Sequence, residues 1–576
     1  MIQHFKPGFQ HLEDIKVEPL DKEAIIKEIN SLDEKLVQAK DGEEAVKVVK
    51  EYFALNDDIQ TAVCLINIRY TVNTKDEYYH KLNDERNEIL PAIQEATNRF
   101  DKDFYHSSFR KELVDAFGEL YFEQVALSRK TFSPEIRDDL VEENKLVRQY
   151  TDLLADGLIE FRGEKYSIPQ MGRFTTSRDR ETRKEASGLV WGFYTQHDEE
   201  IGRIYDRRIH VRDRRAKKLG FKNYLPLGYA RRGRLDWDEK DAKEYREKIL
   251  KYVVPLANKI RDAQKERLGY GEDTHFYDYA IFYKSGNPTP KGTCEELVQD
   301  AKTRYQELSP VASKYFDFMV DHHCLDLLAK PGKSGGGYRE YIPGLKTSFI
   351  FANFNGTSDD VDTLTHEFGH SLQGFLGGDR TVPSYRCPGR ECAEMHSRSM
   401  EYLTYPYRKL FFKQDDAKYR YQHLCDAITF IPYGCIVDAF QAKAYENPDR
   451  TWQERKAYWR SLEKEYLPYR QYGDCKFLEE GGYWYRQGHI FQNPLYYLDY
   501  TIAQVVSLEF FSESLQDPKK TFDKYLSFCS LGGTLPFRKL LKKANIANPM
   551  DGDTLKDVRN SIWNYLSDFN PDELDK

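Results

Sequence analysis

Three observations predict a mainly α-helical protein. Six stretches, 22–50, 74–100, 135–159, 182–219, 238–266 and 295–329, repeat apolar residues at helical spacing and carry charges on their outer faces. Strand signals are few and gather at 161–167 and 338–354. Charged residues make up 31% of the 576, and because apolar positions persist at helical period, this composition suits long exposed helices and not disorder. The length allows roughly two to four domains, or one large helical body with a sizeable core. No fixed-period repeat, low-complexity segment or Ser, Gly or Pro-rich linker interrupts it.

In chain order, Met1-Ile2-Gln3-His4-Phe5-Lys6 lacks the apolar run of an export signal, and no stretch approaches the roughly 18 uninterrupted apolar residues of a membrane span. Nine cysteines, an odd number without C-x-x-C spacing, point to reduced thiols. The expectation is a soluble, cytoplasmic protein with no membrane partner. Further on, Arg207, Arg208, Arg212, Arg214, Arg215, Lys217 and Lys218 form the densest basic run. Interspersed with apolar residues at helical spacing, the run reads as a solvated helix face. A net charge of -8 gives no electrostatic reason to expect nucleic acid.

Lys333-Ser334-Gly335-Gly336-Gly337-Tyr338 is a flexible loop without the Gly-Lys-Ser/Thr ending of a phosphate cradle, so it is expected to form a mobile wall of a site. Residues 345–354 read as a strand closed by a turn at Asn355-Gly356. Such a strand either pairs with an extended peptide or lies buried in a core.

The next element carries the chemistry. In Thr365-His366-Glu367-Phe368-Gly369-His370, the two histidines stand one above the other on a helix and can share a metal, while Glu367 lies about 100° round, within reach of a water on that metal. Val361, Leu364, Phe368, Leu372 and Phe375 mark the opposite, apolar face. Thr357 to Asp360 supply capping groups, and Asp359, Asp360 and Asp362 read as carboxylates favoured by the helix start.

A catalytic zinc needs a third protein ligand and an open fourth position. The metzincin pattern is excluded, because Gln373 and Leu376 stand where its Gly and third His belong. A glutamate on a second helix is the alternative, and residues 390–401 offer Glu394 and Glu401. They share a face but are separated by roughly 10 Å of helix rise, so only one can bind the metal. His396 points about 200° away from Glu394 and is expected to pack instead of ligating. Cys387 and Cys392 do not suggest a second zinc site or a disulfide.

Together, HEFGHSLQ and AEMHSRSMEYL, with 28 residues from the first His to the Glu, resemble the thimet oligopeptidase and oligoendopeptidase F family of zinc metallopeptidases, most of all its bacterial PZ-peptidase-like branch. DRETRKEA at 179–186 and RRAKKLGFKNY at 214–224 are similar to helical stretches of that family, so the resemblance covers roughly residues 175–560. It implies Glu394 as the third ligand, the first Glu of an E-x-x-S motif, and a catalytic cluster of His489, Tyr496, Tyr497 and Tyr500. Which tyrosine faces the substrate stays open, because the spacing from the histidine differs between branches. Packing alone also explains neighbouring tyrosines in a chain with 41 of them. The implied fold is a large helical ellipsoid split by a deep substrate channel, with a small β-sheet beside the His-Glu-x-x-His helix. Residues 1–174 would form a helical part of the channel wall and 175–576 the catalytic region.

The expected activity is hydrolysis of internal bonds in short unfolded peptides, with one Zn2+ per chain, water activated by the metal and Glu367 as general base. Two imidazoles and a carboxylate suit zinc. A Tyr hydroxyl or His489 would steady the oxyanion. Glu401 would accept the free ring N–H of one liganding histidine and fix its tautomer. Two other readings remain: a zinc aminopeptidase, for which no Gly-x-Met-Glu-Asn anchor is present, and a peptide-binding protein without turnover. The oligomeric state is not legible.

Overall fold

The computed structural model describes residues 9–575, so the segment Met1 to Lys6 lies outside the described residues. The chain forms two compact units, each assembled from three separated stretches. The first comprises Met1–Arg129, Thr289–Gln414 and Glu513–Ile546, the second Lys130–Pro288, Asp415–Ser512 and Ala547–Lys576. This division in space is of a different kind from the division along the chain at 174/175, which stays a proposal. Both units are mainly helical.

In the first unit, helices Lys22–Val37, Gly42–Val72 and Glu77–Tyr105 build an apolar core around Leu32, Val49, Phe53, Phe100 and Phe104. The unbroken periodicity of 22–50 conceals a break at 38–41, where the Asp41 carboxylate accepts from the Glu44 N–H at 2.8 Å and starts a new helix. The same happens at His197, at Val253 ahead of Pro255, and at Ser309 ahead of Pro310. Apolar spacing survives such breaks, so periodicity alone does not reveal them.

The sheet signals divide between the units. In the second unit β1, Leu158–Phe161, and β2, Glu164–Ser167, form a hairpin. In the first, β3 (Leu325–Leu328), β4 (Tyr338–Ile342) and β5 (Thr347–Phe354) make a sheet of order β3-β5-β4. Strand β3 lies where helical periodicity was expected to continue to residue 329. Strand β5 runs parallel to β3 and antiparallel to β4, so both of its backbone edges are used within the sheet. It is the buried core strand of the two alternatives. The Gly-rich loop is tied down: the buried Lys333 ammonium donates to Asp326 Oδ1 at 2.6 Å and to Leu328 O at 2.9 Å, and Asn353 Nδ2 donates to Ser334 O at 2.9 Å and Gly336 O at 2.8 Å. These bonds hold the loop to β3 and β5 at Lys333, Ser334 and Gly336.

The basic run is also corrected. Helix Asp198–Lys218 turns Arg208, Arg212 and Arg215 inward, where all three are buried around the Glu143 carboxylate of helix Arg137–Ala155. Burial raises the Glu143 carboxyl, but the guanidinium groups of Arg212, Arg215 and Arg208 outweigh it and hold the group well below the ordinary range. Only Arg207, Arg214, Lys217 and Lys218 keep the solvated face.

Among the described residues no helix is long and apolar enough to cross a membrane. All nine cysteines are free.

Candidate metal centre

The motif helix spans Ser358–Gly377 and packs on β5. Its start is held by Asp360, whose carboxylate accepts from the N–H groups of Asn355 at 2.9 Å and Gly356 at 2.7 Å. Asp362 instead meets Arg408 at 3.5 Å. Helices Cys294–Leu308 and Pro310–Asp321 back the apolar face: Phe368 packs among Tyr305, Tyr315 and Phe316, and Phe375 stacks on Tyr315 at 4.3 Å. With that face buried, His366 and His370 are presented on the other side of the helix.

The second helix, Arg390–Leu403, lies against the first at Gly369. A methyl group there would come within 2.8 Å of Ser397 Cα and 2.9 Å of His396 O, so only glycine permits this approach. The approach brings Glu394 to the histidines. Its Oε2 is 3.1 Å from His366 Nε2 and 3.6 Å from His370 Nε2, and the three donor atoms lie within 4.8 Å of one another. Donors about 2.1 Å from a tetrahedral zinc would be about 3.4 Å apart. The residues present therefore fit a zinc ion with three protein ligands. Glu401 Oε1 is 2.7 Å from His366 Nδ1, so that Nδ1–H donates to it and leaves Nε2 directed toward Glu394.

The electrostatics favour a cation. Burial alone would suppress the charge on His366, yet Glu394 and Glu401 push its pKa up to about 10. Burial likewise works against the Glu394 carboxylate, but His366 and His370 hold its pKa well below the usual range. An arrangement that binds a proton this firmly also offers its lone pairs and negative charge to a metal. Glu367 follows His366 directly and is buried. His396 is no ligand: its ring stacks on Phe528 at 4.2 Å, its Nδ1 meets Cys392 O at 3.1 Å, and burial, followed by the neighbouring His370, pushes its pKa down to about 3.

Two residues of this centre were missed in the sequence. Gly369 occupies one of the two unspecified positions of His-Glu-x-x-His, so the motif assigns it no role. Arg339 of β4 donates to His370 O at 2.7 Å and faces Cys387 Sγ at 3.8 Å, bracing the helix from the sheet. Its place in a β-strand gave no spacing signal toward the motif.

The second unit holds the predicted His and Tyr cluster together. His489 lies 5.1 Å from the Tyr497 ring and 5.7 Å from Tyr500, and Tyr496 lies 4.9 Å from Tyr500, centroid to centroid. All four side chains are half-buried. Gln487 Nε2 is 2.9 Å from His489 Nδ1, and Gln487 Oε1 accepts from Tyr433 at 2.7 Å. With Nδ1 accepting, the neutral imidazole carries its proton on Nε2. The segment is pinned by buried arginines: Arg212 donates to Phe491 O at 3.0 Å, and Arg234 to Leu495 O and to Asp499, each at 2.7 Å. Leu495 sits at φ 60, a left-handed conformation that costs a β-carbon residue and is held by these bonds.

The model of Peptidase family M3 matches residues 173–559, more than half of the chain, and that of the Peptidase M3 N-terminal domain matches residues 12–132. The solved structure of PZ peptidase A with inhibitor 2 superposes with a TM-score of 0.91 at 38% identity, covering 97% of this chain and 100% of that one. Oligoendopeptidase F from Enterococcus faecium shares the fold, with a TM-score of 0.64 at 15% identity over 96% of this chain and 97% of its own. Oligopeptidase PepF of Bacillus subtilis (strain 168) is 24% identical over 402 residues, 65% of this chain and 55% of its own length, so the match spans little more than half of that relative. The chain belongs to peptidase family M3.

Proposed function

We propose that this protein is a zinc-dependent oligoendopeptidase of the cytoplasm that hydrolyses internal bonds of short unfolded peptides. One observation carries the proposal: three donor atoms from two helices converge within 4.8 Å of one another, with a buried glutamate next to the first of them. The names of the relatives, oligopeptidase PepF and PZ peptidase A, support the same substrate class.

His366, His370 and Glu394 would hold the metal, which when bound supplies a Lewis acid and makes water a nucleophile near neutral pH. Glu401 keeps the His366 proton on Nδ1, so that Nε2 presents its lone pair. Glu367 takes a proton from the attacking water and returns it to the departing amine. His489 and the tyrosines Tyr496, Tyr497 and Tyr500 are the proposed hydrogen-bond donors to the developing oxyanion, and a donor of this kind contributes on the order of 10²- to 10³-fold. Tyr496→Phe and Tyr500→Phe should then lower kcat by unequal factors, the larger marking the donor, and equal kcat in wild type and both variants would remove them from this role.

The test is cleavage of an internally quenched, N-terminally blocked peptide of about eight residues with products mapped by mass, a length suited to an extended substrate. Internal cleavage supports the proposal. Cleavage only when the amino terminus is free would make the protein an aminopeptidase, and binding without product would make it a peptide-binding protein.

A further inference from the structure

The second unit contains a cavity of about 570 Å³ that the chemistry above does not use. Its wall includes three arginines, Arg261, Arg470 and Arg486, set among aromatic rings, and no carboxylate occurs among its described lining residues. These guanidinium groups are poorly neutralised. Arg261 donates to two uncharged oxygens, Gln264 Oε1 at 2.6 Å and Thr429 Oγ1 at 2.8 Å. Arg470 has a single ion pair, a long one of 3.7 Å to Glu463, and its buried Nη1 has no hydrogen-bond partner among the described residues. Arg486 meets the Tyr483 hydroxyl at 3.4 Å. Burial alone would raise the Tyr483 phenol, yet Arg486 and Arg470 outweigh it and lower the group, a sign of strong positive potential at this wall.

The cavity adjoins the His489 cluster. Arg470 lies over the Tyr483 ring at 4.7 Å and the Tyr433 ring at 5.9 Å. Tyr433 in turn lies 5.9 Å from Tyr497 and donates to Gln487, the partner of His489. A single tyrosine ring thus separates the arginine wall from the proposed oxyanion donors.

We propose that this cavity is a specificity subsite that takes a carboxylate of the substrate peptide against Arg470 and Arg486, with the adjoining part of the peptide against Trp191, Tyr194 and Tyr277. The carboxylate is the C-terminal one or that of an Asp or Glu side chain; the guanidinium fork recognises both alike. The aromatic lining favours a carboxylate borne on a peptide over a free inorganic anion. This inference rests on the peptidase reading, because it assigns the cavity to the same substrate.

Four blocked, quenched peptides of one sequence test it: the C-terminal acid, the C-terminal amide, and amides carrying Glu or Gln at one internal position. Wild type should cleave at least one carboxylate-bearing member roughly ten-fold better than its neutral partner, through KM, as expected of a hydrogen-bonded charge pair. Whichever pair shows the difference identifies the source. Arg486→Gln and Arg470→Gln should bring that ratio toward one, and Arg486→Lys should restore part of it, which a merely structural role would not do. A wild-type ratio of one for both pairs, a ratio unmoved by the variants, or inhibition by inorganic phosphate without any peptide preference would overturn the proposal. If none of the four is cleaved, the peptidase reading fails, and anisotropy of the fluorescent acid and amide peptides on Glu367→Gln still decides the subsite: tighter acid binding supports it and equal binding refutes it.

Discussion

Glu367 and Glu394 are both buried glutamates on adjoining helices, yet their surroundings assign them different work. Glu394 lies 3.1 and 3.6 Å from two imidazole nitrogens, whereas Glu367 stands beside the ligand set without belonging to it. Glu367→Gln should therefore keep the metal and lose about 10²- to 10⁴-fold in kcat, the usual worth of a general base. Glu394→Ala should lose the metal itself. Metal content by atomic emission, read beside turnover, separates the two, and a Glu367→Gln enzyme with wild-type kcat would refute the assignment. At this scale the metal site was legible because its signal is local: four residues of spacing place His366 over His370. Choosing Glu394 over Glu401 needed the family resemblance, and the structure shows why both seemed eligible, since both meet His366, one at each ring nitrogen. The buried Arg208, Arg212 and Arg215 were misread because their justification, Glu143, comes from another helix. A charge at helical spacing looks solvated until its distant partner is known.

At the scale of elements, the metal site is a contact between two helices, and Gly369 sets their separation. Gly369→Ala would force the helices apart or shift one of them, at a cost of about 1–3 kcal/mol for overpacking. We expect a lower melting temperature and weaker zinc binding from this variant, although no metal ligand is changed. Unchanged zinc affinity would show that the helix contact does not tune the site. Sequence periodicity identified the long helices between residues 22 and 329 but not where each stops, and it named none of Asp416–Glu446, Trp452–Tyr466, Tyr497–Ser514, Pro518–Leu531 and Thr554–Ser567. The breaks at residues 38–41 and at His197, Val253 and Ser309 preserve the apolar pattern, and only the cap or the following proline marks some of them. Strand β3, four residues long, was absorbed into a helical stretch because its pairing with β5 is a tertiary fact.

At the scale of the whole molecule, the metal centre links folding to pH. In the metal-free chain the His366 pKa is raised to about 10, so its protonation stabilises the fold fully below the unfolded value of about 6.5 and that contribution disappears as pH rises through about 10. Glu394 is depressed, so its contribution is present above its unfolded value of about 4.3 and is lost as pH falls. Melting curves with a chelator should thus show stability falling between about pH 6.5 and 10. Zinc needs the imidazoles neutral, so the zinc-loaded chain should lose less over the same range. Equal pH profiles with and without zinc would place the metal elsewhere.

The most direct measurement is a zinc titration of the chelated enzyme, followed by internal cleavage of a blocked peptide. If His366, His370 and Glu394 form the catalytic centre, activity should be absent at the start, rise linearly and saturate at one zinc per chain, and Glu394→Ala should show no such rise. Full activity before zinc is added, or saturation in Glu394→Ala at the same stoichiometry, would contradict the assignment of this site.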